Sequence, residues 1–147
     1  MSSFRVVGGT RLSGEIVPQG AKNEALQIIS AVLLTEEPVH IHKIPNIRDV
    51  NKLIELLADF GVQIEKTGEE SYQFTAKNVN LDFLDTEEFK EKASTLRGSI
   101  MILGPLLARF GKGKMPKPGG DKIGRRRVDT HFFGFHKLGA KFNYDPR

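Results

Sequence analysis

Between Pro118 and Asp129 the sequence Pro-Gly-Gly-Asp-Lys-Ile-Gly-Arg-Arg-Arg-Val-Asp sets one acid, Asp121, among Lys122, Arg125, Arg126 and Arg127. Gly119, Gly120 and Gly124 admit backbone angles closed to other residues and let a ligand approach the main chain. The guanidiniums offer forked donors matched to phosphate. A polyanionic small molecule and a nucleic acid both fit such a loop, and so does a solvated basic turn. A second candidate lies at Lys22-Asn23, in the first turn of a predicted helix, where backbone amides and the macrodipole favour an anion. A Lys there strengthens that attraction although it is unfavourable for the helix, the alternative being that Lys22 only solvates the helix end. Arg97 stands near the start of another predicted helix. His40 and His42 share one face of a strand, but no third ligand is evident nearby, so metal is set aside.

The whole chain bounds these readings. Its 147 residues, 39% apolar, suffice for one domain with a core. Lys and Arg number 22 against 18 acids, a net +4. One acid and four cations between Asp121 and Arg127 leave a local +3, so the excess sits largely in the loop. With no cysteine there is no disulfide framework, thiolate metal site or thiol nucleophile, which suits a reducing cytosol. Met1-Ser2-Ser3-Phe4-Arg5 has no apolar leader, and apolar runs stop short of spanning a membrane, so a soluble, untargeted chain is expected. Ending at Tyr144-Asp145-Pro146-Arg147, just as a strand is predicted to begin, it is expected to be a fragment.

The elements that must carry the candidate residues follow from periodicity. Phe4–Val7 and Arg11–Val17 read as a hairpin about Gly8-Gly9-Thr10. Ala25, Ile28, Ile29, Val32 and Leu33 mark a buried helix over 21–34. Residues 39–44 alternate as a strand ending at Pro45, and Asn46 is expected to cap a helix whose stripe is Val50, Leu53, Ile54, Leu57 and Phe60, closed by Gly61. A hairpin is predicted from 62–64 and 72–74. A buried helix over 100–107 is expected to kink at Pro105, and Val128, Phe132, Phe135 and Leu138 mark a last helix closed by Gly139. Phe142 and Tyr144 would begin another strand.

The chain also repeats. At an offset of 78, Arg48, Val50, Ile54, Leu57, Gly61 and Ile64 meet Arg126, Val128, Phe132, Phe135, Gly139 and Phe142. Upstream the offset is 73, pairing Ile29, Leu33 and Leu34 with Ile102, Leu106 and Leu107, so the second copy holds five extra residues. They fall at the Asp121 loop, where an insertion is expected to serve function. Lys22 comes within a few residues of the counterpart of Arg97, so two cations open equivalent helices and both could face one anion.

Gly20-Ala21-Lys22-Asn23, Leu96-Arg97-Gly98-Ser99-Ile100 and Pro118-Gly119-Gly120-x-x-Ile123-Gly124-x-Arg126-x-Val128-Asp129-x-His131 together resemble the UDP-N-acetylglucosamine 1-carboxyvinyltransferases, the enolpyruvyl transferases of bacterial peptidoglycan synthesis. The resemblance covers all 147 residues, but family members are much longer, which implies an N-terminal portion. It implies an α/β fold of two domains about a cleft, each an inside-out α/β barrel of repeated βαβαββ units with helices inside. Residues 1–20 would be a hairpin belonging to the second domain, and 21–147 the first two repeat units of the substrate-binding domain, the second incomplete.

The implied reaction moves enolpyruvate from phosphoenolpyruvate to the 3′-hydroxyl of UDP-N-acetylglucosamine by addition and elimination of phosphate, the first committed step of peptidoglycan synthesis. No metal or organic cofactor, nucleic acid or membrane is implied; the partners are the two substrates and the missing C-terminal part, in the cytoplasm, and the isolated portion is expected to be inactive. By resemblance Lys22 is catalytic and, with Asn23, contacts phosphoenolpyruvate. Arg97 and Arg126 help hold the substrates, and Arg126, Arg127, Val128, Asp129 and Thr130 line the nucleotide-sugar site. Asp121 stands where members commonly carry Cys, the acid that protonates the methylene carbon and the target of fosfomycin, so resistance to fosfomycin is expected. Arg127 replaces the usual Pro. Shikimate-type enolpyruvyl transferases have different signatures and are the alternative enzyme class. A nucleic-acid module would explain Arg125–Arg127 but lacks a basic helical face with interleaved aromatics.

Overall fold

The structure, a computed structural model, describes residues 3–119 and 127–143. Its helices are α1 (Lys22–Ala31), α2 (Arg48–Asp59), α3 (Glu87–Ser94), α4 (Leu103–Phe110) and α5 (Asp129–Lys137), and its strands β1 (Val39–Ile41), β2 (Gln63–Gly68) and β3 (Ser71–Thr75). Tighter 3-10 turns at Val32–Leu34, Leu81–Asp85 and Arg97–Ile102 complete the order. The sheet runs β1-β3-β2, antiparallel throughout, with Phe74 opposite both Val39 and Ile64. This is an α/β arrangement of helices over a small sheet.

The core follows from the apolar stripes. Val50, Leu53, Leu56 and Leu57 of α2, with Phe60 after it, are all at most 1% exposed. They meet Ile29 and Leu33 from the first helical segment and Ile102 and Leu106 from the second, each fully buried. Those four are two of the three pairs related by the offset of 73, and they are matched core contacts; the third pair, Leu34 and Leu107, stays outside the core, with Leu34 52% exposed. The offset of 78 appears as two glycines, Gly61 (φ 89°) and Gly139 (φ 93°), which close α2 and α5 in the left-handed region. Behind α2, the rings of Phe60, Phe83 and Phe89 meet edge to face at centroid separations of 5.1–5.7 Å. Arg109 of α4, its side chain only 13% exposed, donates to the carbonyls of Leu33, Thr35 and Ala76 at 2.8–3.1 Å and pairs with Glu36, tying the end of the first helical segment to the end of β3.

Several expectations are corrected. No strand forms over residues 4–7 or 11–17; their apolar side chains are exposed, Phe4 at 99% and Ile16 at 90%, because a lone hairpin with no layer beneath it buries too little to hold. Asn46 does not cap α2. The cap position is Ile47, with no side-chain bond, while Asn46 Oδ1 accepts from Asn51 Nδ2 at 2.8 Å. Pro105 marks no mid-helix kink: the chain changes from a 3-10 turn to α4 before it, and Pro105 lies in the first turn of α4, where its missing N–H costs nothing. Phe142 forms no strand among the described residues and instead sets its ring edge on Phe132, 5.5 Å away. Tyr144 lies outside the described residues.

Candidate active site

Four helical segments begin at one cleft of about 680 Å³. Lys22 and Asn23 come from the start of α1, Arg48, Asp49 and Lys52 from the first turns of α2, Arg97 and Gly98 from the start of the 3-10 turn, and Val128 and His131 from the start of α5. None of these starts has a capping side chain: the cap positions are Ala21, Ile47, Leu96 and Val128. Their amides therefore keep donor capacity that a Ser, Thr, Asn or Asp would otherwise occupy.

Small local fits bring these segments together. A Cβ on Gly98 would stand 3.0 Å from Leu26 Cδ1, so glycine lets the Arg97 turn close onto α1. Lys22 Nζ donates to Asp49 Oδ2 at 2.9 Å, across 27 residues of sequence. Lys52 Nζ reaches Thr95 Oγ1 at 3.3 Å. Arg97 spans to the far side, its Nη2 donating to the backbone carbonyl of Arg127 at 3.4 Å. Among the described lining residues the formal charge is dominated by Lys22, Arg48, Lys52 and Arg97, with Asp49 the single acid.

The chain approaching this cleft from α4 is tethered at several points. Lys112 and Lys114 pair with Asp85 at 3.3 and 3.1 Å, and their ammonium groups, Lys114 first, hold that carboxyl below its usual range. Ser99 Oγ meets Met115 Sδ at 3.6 Å. A Cβ on Gly119 would fall 1.8 Å from the Ser94 carbonyl oxygen, so only glycine passes there. Gly119 and Val128 both line the cleft, which brings both flanks of the charged segment to it. Asp121, Lys122, Arg125 and Arg126 lie outside the described residues.

Lys22, Asn23, Arg97 and Val128 thus share one cavity, whereas Arg127, Asp129 and Thr130 do not line it. Arg127 turns its fork onto Asp129, Nε to Oδ1 at 3.0 Å with a second bond from Nη2 to Oδ2. That carboxylate raises the Arg127 pKa further, through the hydrogen bonds first and charge second. Thr130 is exposed in the first turn of α5. Arg48 and Lys52 were missed as site residues, although the offset that pairs Arg48 with Arg126 was the signal that could have found the first.

An uncapped, cationic meeting of helix starts, approached by a glycine-threaded segment, offers the donors and charge that a small polyanion requires. The chain belongs to the EPSP synthase (3-phosphoshikimate 1-carboxyvinyltransferase) family, whose profile matches residues 6–146. Within that family it is similar to the UDP-N-acetylglucosamine 1-carboxyvinyltransferase of Bacteroides fragilis (strain YCH46), 60% identical over 145 residues, covering 99% of this chain and 33% of that protein. The enzyme of the same name from Porphyromonas gingivalis is 54% identical over 144 residues, 98% of this chain and 33% of that one. The chain therefore spans about a third of the length of the curated relatives it matches. Among solved structures, the enolpyruvyl transferase NikO from Streptomyces tendae superposes with a TM-score of 0.50 at 24% identity over 71% of this chain and 23% of that one, a likeness of fold. Among the described residues no helix is long and apolar enough to cross a membrane.

Proposed function

We propose that this chain forms one wall of the active site of a cytoplasmic enzyme that transfers enolpyruvate from phosphoenolpyruvate to the 3′-hydroxyl of UDP-N-acetylglucosamine, releasing phosphate. The observation that carries the reading is the convergence of Lys22, Arg48, Lys52 and Arg97 at uncapped helix starts, joined by both flanks of the Asp121 segment. Phosphoenolpyruvate carries a carboxylate and a phosphate that must be neutralised and held in register while charge moves between them, and preorganised cations and amides do both. In the addition, a proton goes to the methylene carbon, for which Asp121 is the proposed donor, while the sugar hydroxyl gives its proton to a base supplied by the rest of the enzyme and its oxygen bonds to the neighbouring carbon. In the elimination, that methyl carbon loses a proton, the C–O bond to phosphate breaks and the enol ether remains. Arg126 would assist Arg97 and Lys22, and Asn23 would orient phosphoenolpyruvate.

The 60% identity to proteins bearing the UDP-N-acetylglucosamine name favours that acceptor over shikimate 3-phosphate, although the family profile carries the shikimate name. The exposed apolar residues between Phe4 and Val17 support assigning residues 1–20 to a second domain, with 21–147 as the first two units of an inside-out barrel. The isolated chain, a third of such an enzyme, would be inactive.

Phosphate release by the full-length enzyme tests the reading: phosphoenolpyruvate with UDP-N-acetylglucosamine should yield phosphate, and with shikimate 3-phosphate should not. The reverse preference overturns it. For Asp121, the native enzyme should resist time-dependent fosfomycin inactivation, because a carboxylate is a poor nucleophile towards an epoxide, and Asp121→Cys should gain it. The alkaline limb of activity should also move to higher pH in Asp121→Cys, since a thiol holds its proton to about pH 8.5 and an ordinary carboxyl loses it near pH ~4. Identical pH profiles would remove Asp121 from the acid role.

A further inference from the structure

We infer that Asp49 is a positioning residue, whose carboxylate holds the Lys22 ammonium where it must meet the substrate anion. The inference rests on the reading above, in which Lys22 touches phosphoenolpyruvate.

Stability does not account for the pair. Lys22 and Asp49 are 42% and 41% exposed, and ion pairs this open contribute ~0–1 kcal/mol. Nor does anion affinity, because a carboxylate in a cleft with Lys22, Arg48, Lys52 and Arg97 repels the ligand those cations attract. What the acid supplies is direction. Lys22 ends a four-carbon stem in the first turn of α1, where the helix macrodipole pushes the ammonium away from the amides that would hold an anion. Asp49 lies in the first turn of α2, where a negative charge is favourable, and it binds Nζ at 2.9 Å. The two helix starts are thus joined across the cleft by one hydrogen bond, and the flexible stem is fixed before substrate arrives.

Orientation and affinity predict different kinetics. Replacing Asp49 by Asn keeps size and an acceptor but removes the charge. In the full-length enzyme, Asp49→Asn should lower kcat by about 10- to 100-fold, the penalty expected of a misplaced catalytic group. Its KM for phosphoenolpyruvate should stay the same or fall, because a repelling charge has gone. Asp49→Glu should recover part of kcat. In the Lys22→Gln background, Asp49→Asn should cost nothing more. A merely structural Asp49 would instead lower the melting temperature and act additively with Lys22→Gln, and that outcome overturns the inference. A near-normal kcat for Asp49→Asn beside a crippled Lys22→Gln overturns it too, while leaving the site reading intact. If Lys22→Gln itself turns over normally, the site reading fails, and the inference with it.

Discussion

The two ends of the helical layer are built on opposite rules. At the start of α3, Thr86 Oγ1 accepts from the Phe89 amide at 3.1 Å, and Glu87 and Glu88 occupy the first turn, as the macrodipole favours. Asn80 likewise caps its 3-10 turn through Asp82 N. Around them Phe60, Phe83 and Phe89 pack edge to face, and Lys92 bridges Asp59 at 2.6 Å and Glu88 at 2.7 Å, bonds that raise its pKa, Asp59 first. At the cleft, Ala21, Ile47, Leu96 and Val128 cap nothing, and Lys22, Arg48 and Arg97 stand as the first residues of their segments. Each missing cap forgoes about 1 kcal/mol, and each cation at a helix start costs a few tenths more. One end follows the rules of stability; the other keeps acids in its first turns, Glu24, Asp49 and Asp129, but departs from the rules at its caps and leading residues, in one place, which supports reading that place as a binding site.

The contrast breaks most sharply in the aromatic trio. Phe89→Ala should destabilise the full-length enzyme by about 3–5 kcal/mol, read as a large fall in denaturant midpoint, with kcat per folded molecule unchanged. A kcat loss without a stability loss would place Phe89 in the site instead. Lys22→Ala and Arg97→Ala should do the reverse, each losing about 100-fold in kcat, ~3 kcal/mol of transition-state stabilisation, with unfolding midpoints close to the parent's. Normal turnover in both would leave the cleft without a catalytic role. The smallest effects come from exchanging the rules. Thr86→Ala should lower stability by about 1 kcal/mol, and Ala21→Ser, at an extended cap position, should raise it by up to the same amount. Only Ala21→Ser should raise the KM for phosphoenolpyruvate, because its hydroxyl takes amides meant for the anion. Equal KM values for the two variants would show that the bare helix starts are incidental.

What the sequence disclosed was whatever is encoded locally. The stripe of α2 and the closing glycines at 61 and 139 depend on periodicity and on one backbone angle; the glycines appear as expected, and so does the stripe except that Ile54 is only partly buried and Leu56, not expected, joins the core. The hairpin reading of residues 4–17 failed because strands are completed by partners, and none is present among the described residues. Asn46 misled because a capping residue one position early finds a side chain, Asn51, before it finds an amide. At the site, Lys22, Asn23 and Arg97 were legible from their motifs. Lys52 was not, since an exposed Lys in a helix is ordinary until the fold shows it facing Thr95, 43 residues away. Arg127 looked available to a ligand in sequence, and only the structure shows Asp129 occupying its fork.

Gly20 sits where two passes of backbone nearly touch. A Cβ there would meet the Lys43 carbonyl oxygen at 1.9 Å, and Lys43 is the one described non-glycine residue with positive φ, 57°, a posture that costs roughly 1 kcal/mol or more. Two passes of backbone are thus clamped together at the root of the exposed segment 3–19, two residues before Lys22. Any side chain at position 20 would force those two passes of backbone apart, just before the cleft begins at Lys22.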